Sequence, residues 1–70
     1  MNTESIVRSS AARIKIYSIS EIGRRIGVSR SALSRKLKKP TTLTIPEIQE
    51  LAKLFNWTDA ELGHFLRGIE

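Results

Sequence analysis

Between positions 30 and 38 the chain reads Arg30-Ser-Ala-Leu-Ser-Arg-Lys-Leu-Lys38. Wound as a helix, this segment puts Arg30, Ser31, Ser34, Arg35 and Lys38 on one stripe, with Ala32, Leu33 and Leu37 facing inward. The outer stripe has no acidic and no large apolar residue. It is a row of hydrogen-bond donors suited to a polyanion. A guanidinium fits the O6 and N7 acceptors of a guanine edge, a hydroxyl donates or accepts, and an ammonium meets a phosphate oxygen. Lys39, Thr41 and Thr42 follow directly with a further cation and two hydroxyls.

Such a stripe works only if other elements hold it, and the helix starts are written in the sequence. Ser18, Thr44 and Thr58 each precede a glutamate by three residues (Glu21, Glu47, Glu61), the capping-box spacing. Each is bracketed by an apolar staple pair: Tyr17 with Ile22, Leu43 with Ile48, Trp57 with Leu62. Ser29 lacks the glutamate but has the pair Val28 and Leu33. The spacing therefore predicts helices from about Ile19 to Gly27, from Arg30 to a stop before Pro40, from Thr44 to Asn56, and from Asp59 to Arg67. Ile45, Ile48, Leu51, Ala52 and Phe55 share one face of the third of these, and Leu62, Phe65 and Leu66 one face of the last. Upstream, Ile6, Val7, Ala11 and Ile14 predict a first helix from about Glu4 to Lys15, and Pro40–Leu43 reads as a loop.

No segment alternates like a strand, so the fold class is all-α, a compact five-helix domain over residues 1–70. Only Gly27-Val28-Ser29 separates the second and third helices, too short a turn for one to lie flat on the other. Gly23 faces their crossing, Gly27 supplies a positive φ, Val28 plugs the angle and Ser29 caps the second of them. Ile22, Ile26, Leu33 and Leu37 are expected to bury the inner surface.

Composition narrows the function further. The net charge is +5 with no cysteine, which excludes a disulfide framework, thiolate zinc and a thiol nucleophile. Residues 1–40 carry ten Lys or Arg against Glu4 and Glu21, whereas residues 41–70 carry two against five acids, so the charge splits into +8 and −3. A basic half beside an acidic half points one face at a polyanion. No apolar run reaches the roughly 18–20 residues of a membrane span, and Met1–Ser10 lacks the order of a signal peptide. A cytoplasmic protein is expected, nucleoid-associated when bound. One histidine, no nucleophile–base–orienter set and no phosphate-cradling glycine loop give catalysis no support, and no cofactor or metal is expected.

The run from Ile22 to Ser34, Ile-Gly-x-x-Ile-Gly-Val-Ser-x-Ser-x-Leu-Ser, resembles the helix-turn-helix of the phage Cro and repressor (XRE-like) family. The later helices fit the same order, so the resemblance spans nearly the whole chain and implies a lambda-repressor-like fold. It implies a sequence-specific double-stranded DNA-binding regulator, a Cro-like repressor with the helix at about 30–38 in the major groove. By position, Arg30, Ser31, Ser34 and Arg35 would read bases, with Ser29 and the amides of that helix on a phosphate. Lys38, Lys39, Thr41 and Thr42 would touch the backbone. One departure stands out: where the family often has a backbone-contacting glutamine, this chain has Ile19, with Ser18 or Ser20 as substitutes.

A single helix covers few base pairs, so a homodimer on a pseudo-palindromic operator is implied, with half-sites about 34 Å apart. Phe65, Leu66 and Ile69 are the candidate dimer surface, or else they complete the core or lie exposed. No small-molecule ligand and no membrane partner are expected. Arg8, Arg13 and Lys15 stay open between backbone contact and a solvated face, and Glu21 and Arg25 can pair along their helix. Two rivals remain: an antitoxin or regulatory subunit acting mainly through protein contacts, and an RNA binder, disfavoured by the narrow A-form major groove.

Overall fold

The computed structural model describes residues 3–69; Met1, Asn2 and Glu70 of the expected 1–70 unit lie outside the described residues. The elements are α1 (Thr3–Arg13), α2 (Ile19–Ile26), α3 (Arg30–Lys38), a 3-10 turn (Pro40–Thr42), α4 (Ile45–Phe55) and α5 (Asp59–Ile69). No strand occurs among the described residues. None of their helices is long and apolar enough to cross a membrane.

The helix starts follow their local chemistry. The Oγ of Ser18 accepts from the Glu21 N–H at 3.1 Å, and that of Ser29 from the Ala32 N–H at 3.3 Å. Thr44 with Glu47 and Thr58 with Glu61 form complete reciprocal boxes, each glutamate accepting from the cap's own N–H at 2.8 and 3.0 Å. The Ser18 box is only half made, because the Glu21 carboxylate turns instead to Arg24 and Arg25. Gly27 (φ 77°) and Asn56 (φ 53°) close α2 and α4 in the left-handed conformation.

Several expectations are corrected. α1 stops at Arg13, not Lys15, because Lys15 itself takes the left-handed conformation (φ 62°) and the Ile16 N–H returns to the Ala11 carbonyl at 2.9 Å. That reversal turns Ile14 outward and puts Ile16 in the core. Pro40–Thr42 is a 3-10 turn rather than an open loop, closed by the Leu43 N–H on the Pro40 carbonyl at 3.1 Å. α5 runs past the expected end at Arg67, through Gly68 to Ile69. Ile45, at the first position of α4, is exposed, so the inward face of that helix begins at Ile48. Tyr17 is 75% exposed, and its staple to Ile22 covers little of the ring.

Val7, Ile22, Leu33, Leu51 and Phe65 are completely buried and draw α1, α2, α3, α4 and α5 onto one core. Phe65 therefore completes the core and is unavailable as a dimer surface, while Leu66 is exposed and Ile69 half-buried against the core. Trp57 lies between Phe55 and Phe65, with ring centroids 5.6 and 4.9 Å away. Its Nε1–H donates to the buried Ser10 Oγ at 2.8 Å, so burying the ring strands no polar atom. Arg13 on α1 also binds Glu61 on α5 at 3.0 Å. The result is a scaffold that fixes α2 and α3 from behind.

Candidate nucleic-acid interface

α2 and α3 meet more extensively than any other pair of helices. Gly23 makes their close approach possible: a Cβ built there would stand 2.3 Å from the Val28 carbonyl oxygen. That carbonyl belongs to the turn Gly27-Val28-Ser29, and the Val28 N–H is itself tied to the Gly23 carbonyl at 2.8 Å. Leu33 and Leu37 are buried, as expected, whereas Ile26, expected to be buried with them, is only half-buried against the core, as is Val28. One contact fixes α3 that the sequence did not reveal. The Lys36 Nζ donates to Glu47 Oε2, the same carboxylate whose other oxygen accepts from the Thr44 N–H. One glutamate thus caps α4 and holds α3 to it.

The outer side of α3 forms a ridge with a hollow on each flank. Arg30, Ser31, Ser34 and Arg35, the four residues assigned to base contact, border one hollow together, with Ile19 of α2 and Arg8 of α1 closing it. Arg35 also borders the second hollow, with Lys38, Lys39 and Thr42. Arg30, Ser31, Arg35, Lys38 and Lys39 are exposed, whereas Ser34 is half-buried on the ridge's inner shoulder. Ser20 and Thr41 are exposed but border neither hollow. The Ser18 and Ser29 oxygens accept from their helix N–H groups, which leaves each hydroxyl proton to donate outward. Thr42 differs: its hydroxyl donates to the Lys39 carbonyl at 2.7 Å, so that proton already has an acceptor.

Electrostatics sharpen the asymmetry. Glu4 pairs with Arg8, Glu61 with Arg13, Glu21 with both Arg24 and Arg25, and Glu47 with Lys36. Arg30, Arg35, Lys38 and Lys39 make no ion pair among the described residues, and they stand together along α3 and its end. These four acids are engaged with cations other than those of the outer ridge, whose own four make no such pair. The carboxylates respond in kind. Hydrogen bonds from Arg25 and then Arg24 hold the Glu21 carboxyl below its ordinary 4.5. Burial pushes Glu47 up, but the bonds from Lys36 and the Thr44 N–H and hydroxyl outweigh it and the net shift is downward. Glu61 is lowered by the Thr58 N–H and the Arg13 guanidinium.

Two short helices locked over a three-residue turn, the second bare-faced and basic, define the class: a helix-turn-helix domain. Residues 11–62, about three quarters of the chain, match the helix-turn-helix family of the Cro and repressor (XRE-like) type, and the chain belongs to that family. It is thus a DNA-binding helix-turn-helix regulator in general character. No curated protein and no solved structure matches the chain significantly.

Proposed function

We propose that this chain is a sequence-specific double-stranded DNA-binding regulator, a Cro-like repressor that acts by occupying an operator. Residues 1–70 form a single domain in this reading, with the helix-turn-helix at about 19–38. α3 enters the major groove, where Arg30, Ser31, Ser34 and Arg35 meet base edges. Ser18, Ser20, Ser29, Lys38, Lys39, Thr41 and Thr42 hold the flanking backbone, Thr42 only after its hydroxyl leaves the Lys39 carbonyl. Two copies sit on a pseudo-palindrome, about 34 Å or one duplex turn apart. Leu66 and Ile69 remain the candidate dimer contacts, without Phe65.

The observation that carries the reading is the bare ridge: four cations together on α3 and its end that make no ion pair among the described residues, while the paired acids, Glu47 on Lys36 included, tie the scaffold together. A merely solvated helix face gains from interspersed opposite charges, so leaving one sign unpaired suits a polyanionic partner. The test is selection from a random duplex library at about 0.15 M salt, where exposed charges are already screened beyond about 8 Å. A two-fold symmetric motif supports both the specific reading and the dimer. An asymmetric motif removes the dimer, and no enrichment removes sequence-specific recognition, turning the search to a protein or RNA partner.

A further inference from the structure

We infer that Arg8, on α1 and outside the helix-turn-helix, is a further DNA-backbone contact that holds a phosphate across the hollow from Arg30. The inference rests on the DNA-binding reading above and adds a residue from a different helix to it. Arg8 is far from Arg30 in sequence, yet both border the same hollow with Ser31, Ser34 and Arg35. Ile19 borders it too, buried to 8% exposure and with a side chain that has no donor to offer. The α3 side of the hollow therefore carries Arg30 and Arg35, and the α1 side carries Arg8. A strand laid over the hollow meets cations on both edges.

Arg8 is also held in a way that leaves it free to act. Its Nε donates to Glu4 at 3.0 Å, an exposed pair one helical turn away, with half the arginine side chain open to solvent. That bond uses Nε alone and leaves two Nη groups for a second anion. Exposed pairs of this kind are weak and give way readily to a phosphate. The neighbouring cations on α1 and after it are placed otherwise. Arg13 bridges to Ser10 and to Glu61 on α5, a structural tie. Lys15 sits in the reversal after α1 and borders neither hollow.

The test is fluorescence anisotropy with a mixed-sequence duplex across a salt series, so that it does not depend on knowing an operator. Each phosphate contact contributes about 0.9 to the slope of log affinity against log salt, worth about fivefold at 0.15 M. Arg8→Gln is expected to weaken binding by about that factor per subunit and to make the slope shallower by about 0.9. Lys53→Gln on α4, an exposed cation bordering neither hollow, controls for the loss of one charge and should change far less. An Arg8→Gln effect no larger than that of Lys53→Gln overturns the inference. Glu4→Gln reads the same contact from its other partner. Freeing Arg8 should tighten binding by more than Glu50→Gln does, and equal or weaker binding counts against the contact. If the unaltered protein binds no duplex, the DNA-binding reading itself fails, and the inference with it.

Discussion

Gly23→Ala sets two opposing effects against each other, and the structure decides between them. Alanine in a helix interior is favoured over glycine by about 0.8–1.0 kcal/mol, so propensity alone predicts a more stable protein. The new Cβ, however, would stand 2.3 Å from the Val28 oxygen, where ordinary contact begins near 3.4 Å. The obstacle is backbone, on a turn tied back to Gly23 by the 2.8 Å bond from the Val28 N–H, so it cannot swing aside like a side chain. The turn must retreat by about 1 Å, and forced expansion of a packed contact costs about 1–3 kcal/mol, toward the upper end where backbone must move. The net expectation is a loss of about 1–2 kcal/mol, or roughly 4–16 °C in a domain of this size. Gly63→Ala in α5 supplies the contrast. Its Cβ would meet only the end of the Arg67 side chain at 3.4 Å, so the propensity gain of up to about 1 kcal/mol should appear nearly whole. Thermal melts by circular dichroism read both variants. A Gly23→Ala protein that melts at or above the unaltered one would refute the steric argument.

Two further expectations concern the scaffold. Glu21, Glu47 and Glu61 have folded pKa values below the ordinary 4.5, so the unfolded chain binds more protons and stability is lost as pH falls through the folded values. Melts from pH 6 downward should show this decline, and an E47Q/E61Q protein, whose glutamines can still cap, should decline less; parallel curves would contradict the linkage. Phe65→Ala, at a completely buried ring, should cost about 3–5 kcal/mol in urea titrations, while Leu66→Ala stays below about 1 kcal/mol. If instead Phe65→Ala only lowers the oligomeric state and leaves the monomer's stability intact, its place in the core is wrong.

What the sequence disclosed was mostly what local chemistry decides. The caps at Ser18, Ser29, Thr44 and Thr58, the reversals at Gly27 and Asn56, and the close approach at Gly23 each depend on a few neighbouring residues. The end of α1 was missed because Lys15, without the usual glycine or asparagine, occupies the left-handed position. Side-chain exposure was less legible, since it depends on where other helices stop. Ile14, Ile45 and Leu66 satisfy the periodic pattern yet face outward, and Ile16, outside any helix, is buried. The outer stripe of α3 was readable because a single helix lays it out. The hollow that adds Arg8 to it, and the Lys36–Glu47 tie behind it, join separate elements, and no spacing in the sequence encodes either.

The central claim is that the α3 ridge divides its labour, with Arg35 reading a base and Lys39 gripping the backbone. The most direct measurement is the affinity of the Arg35→Ala and Lys39→Ala proteins for the selected site and for each of its single-base variants. Arg35→Ala should lose roughly 1–3 kcal/mol on the selected site and become indifferent to the base at one position. Lys39→Ala should weaken all of the duplexes alike and lower the salt slope by about 0.9 per subunit, with its base preferences intact. Two variants with the same profile, or an Arg35→Ala protein that keeps every base preference, would contradict it.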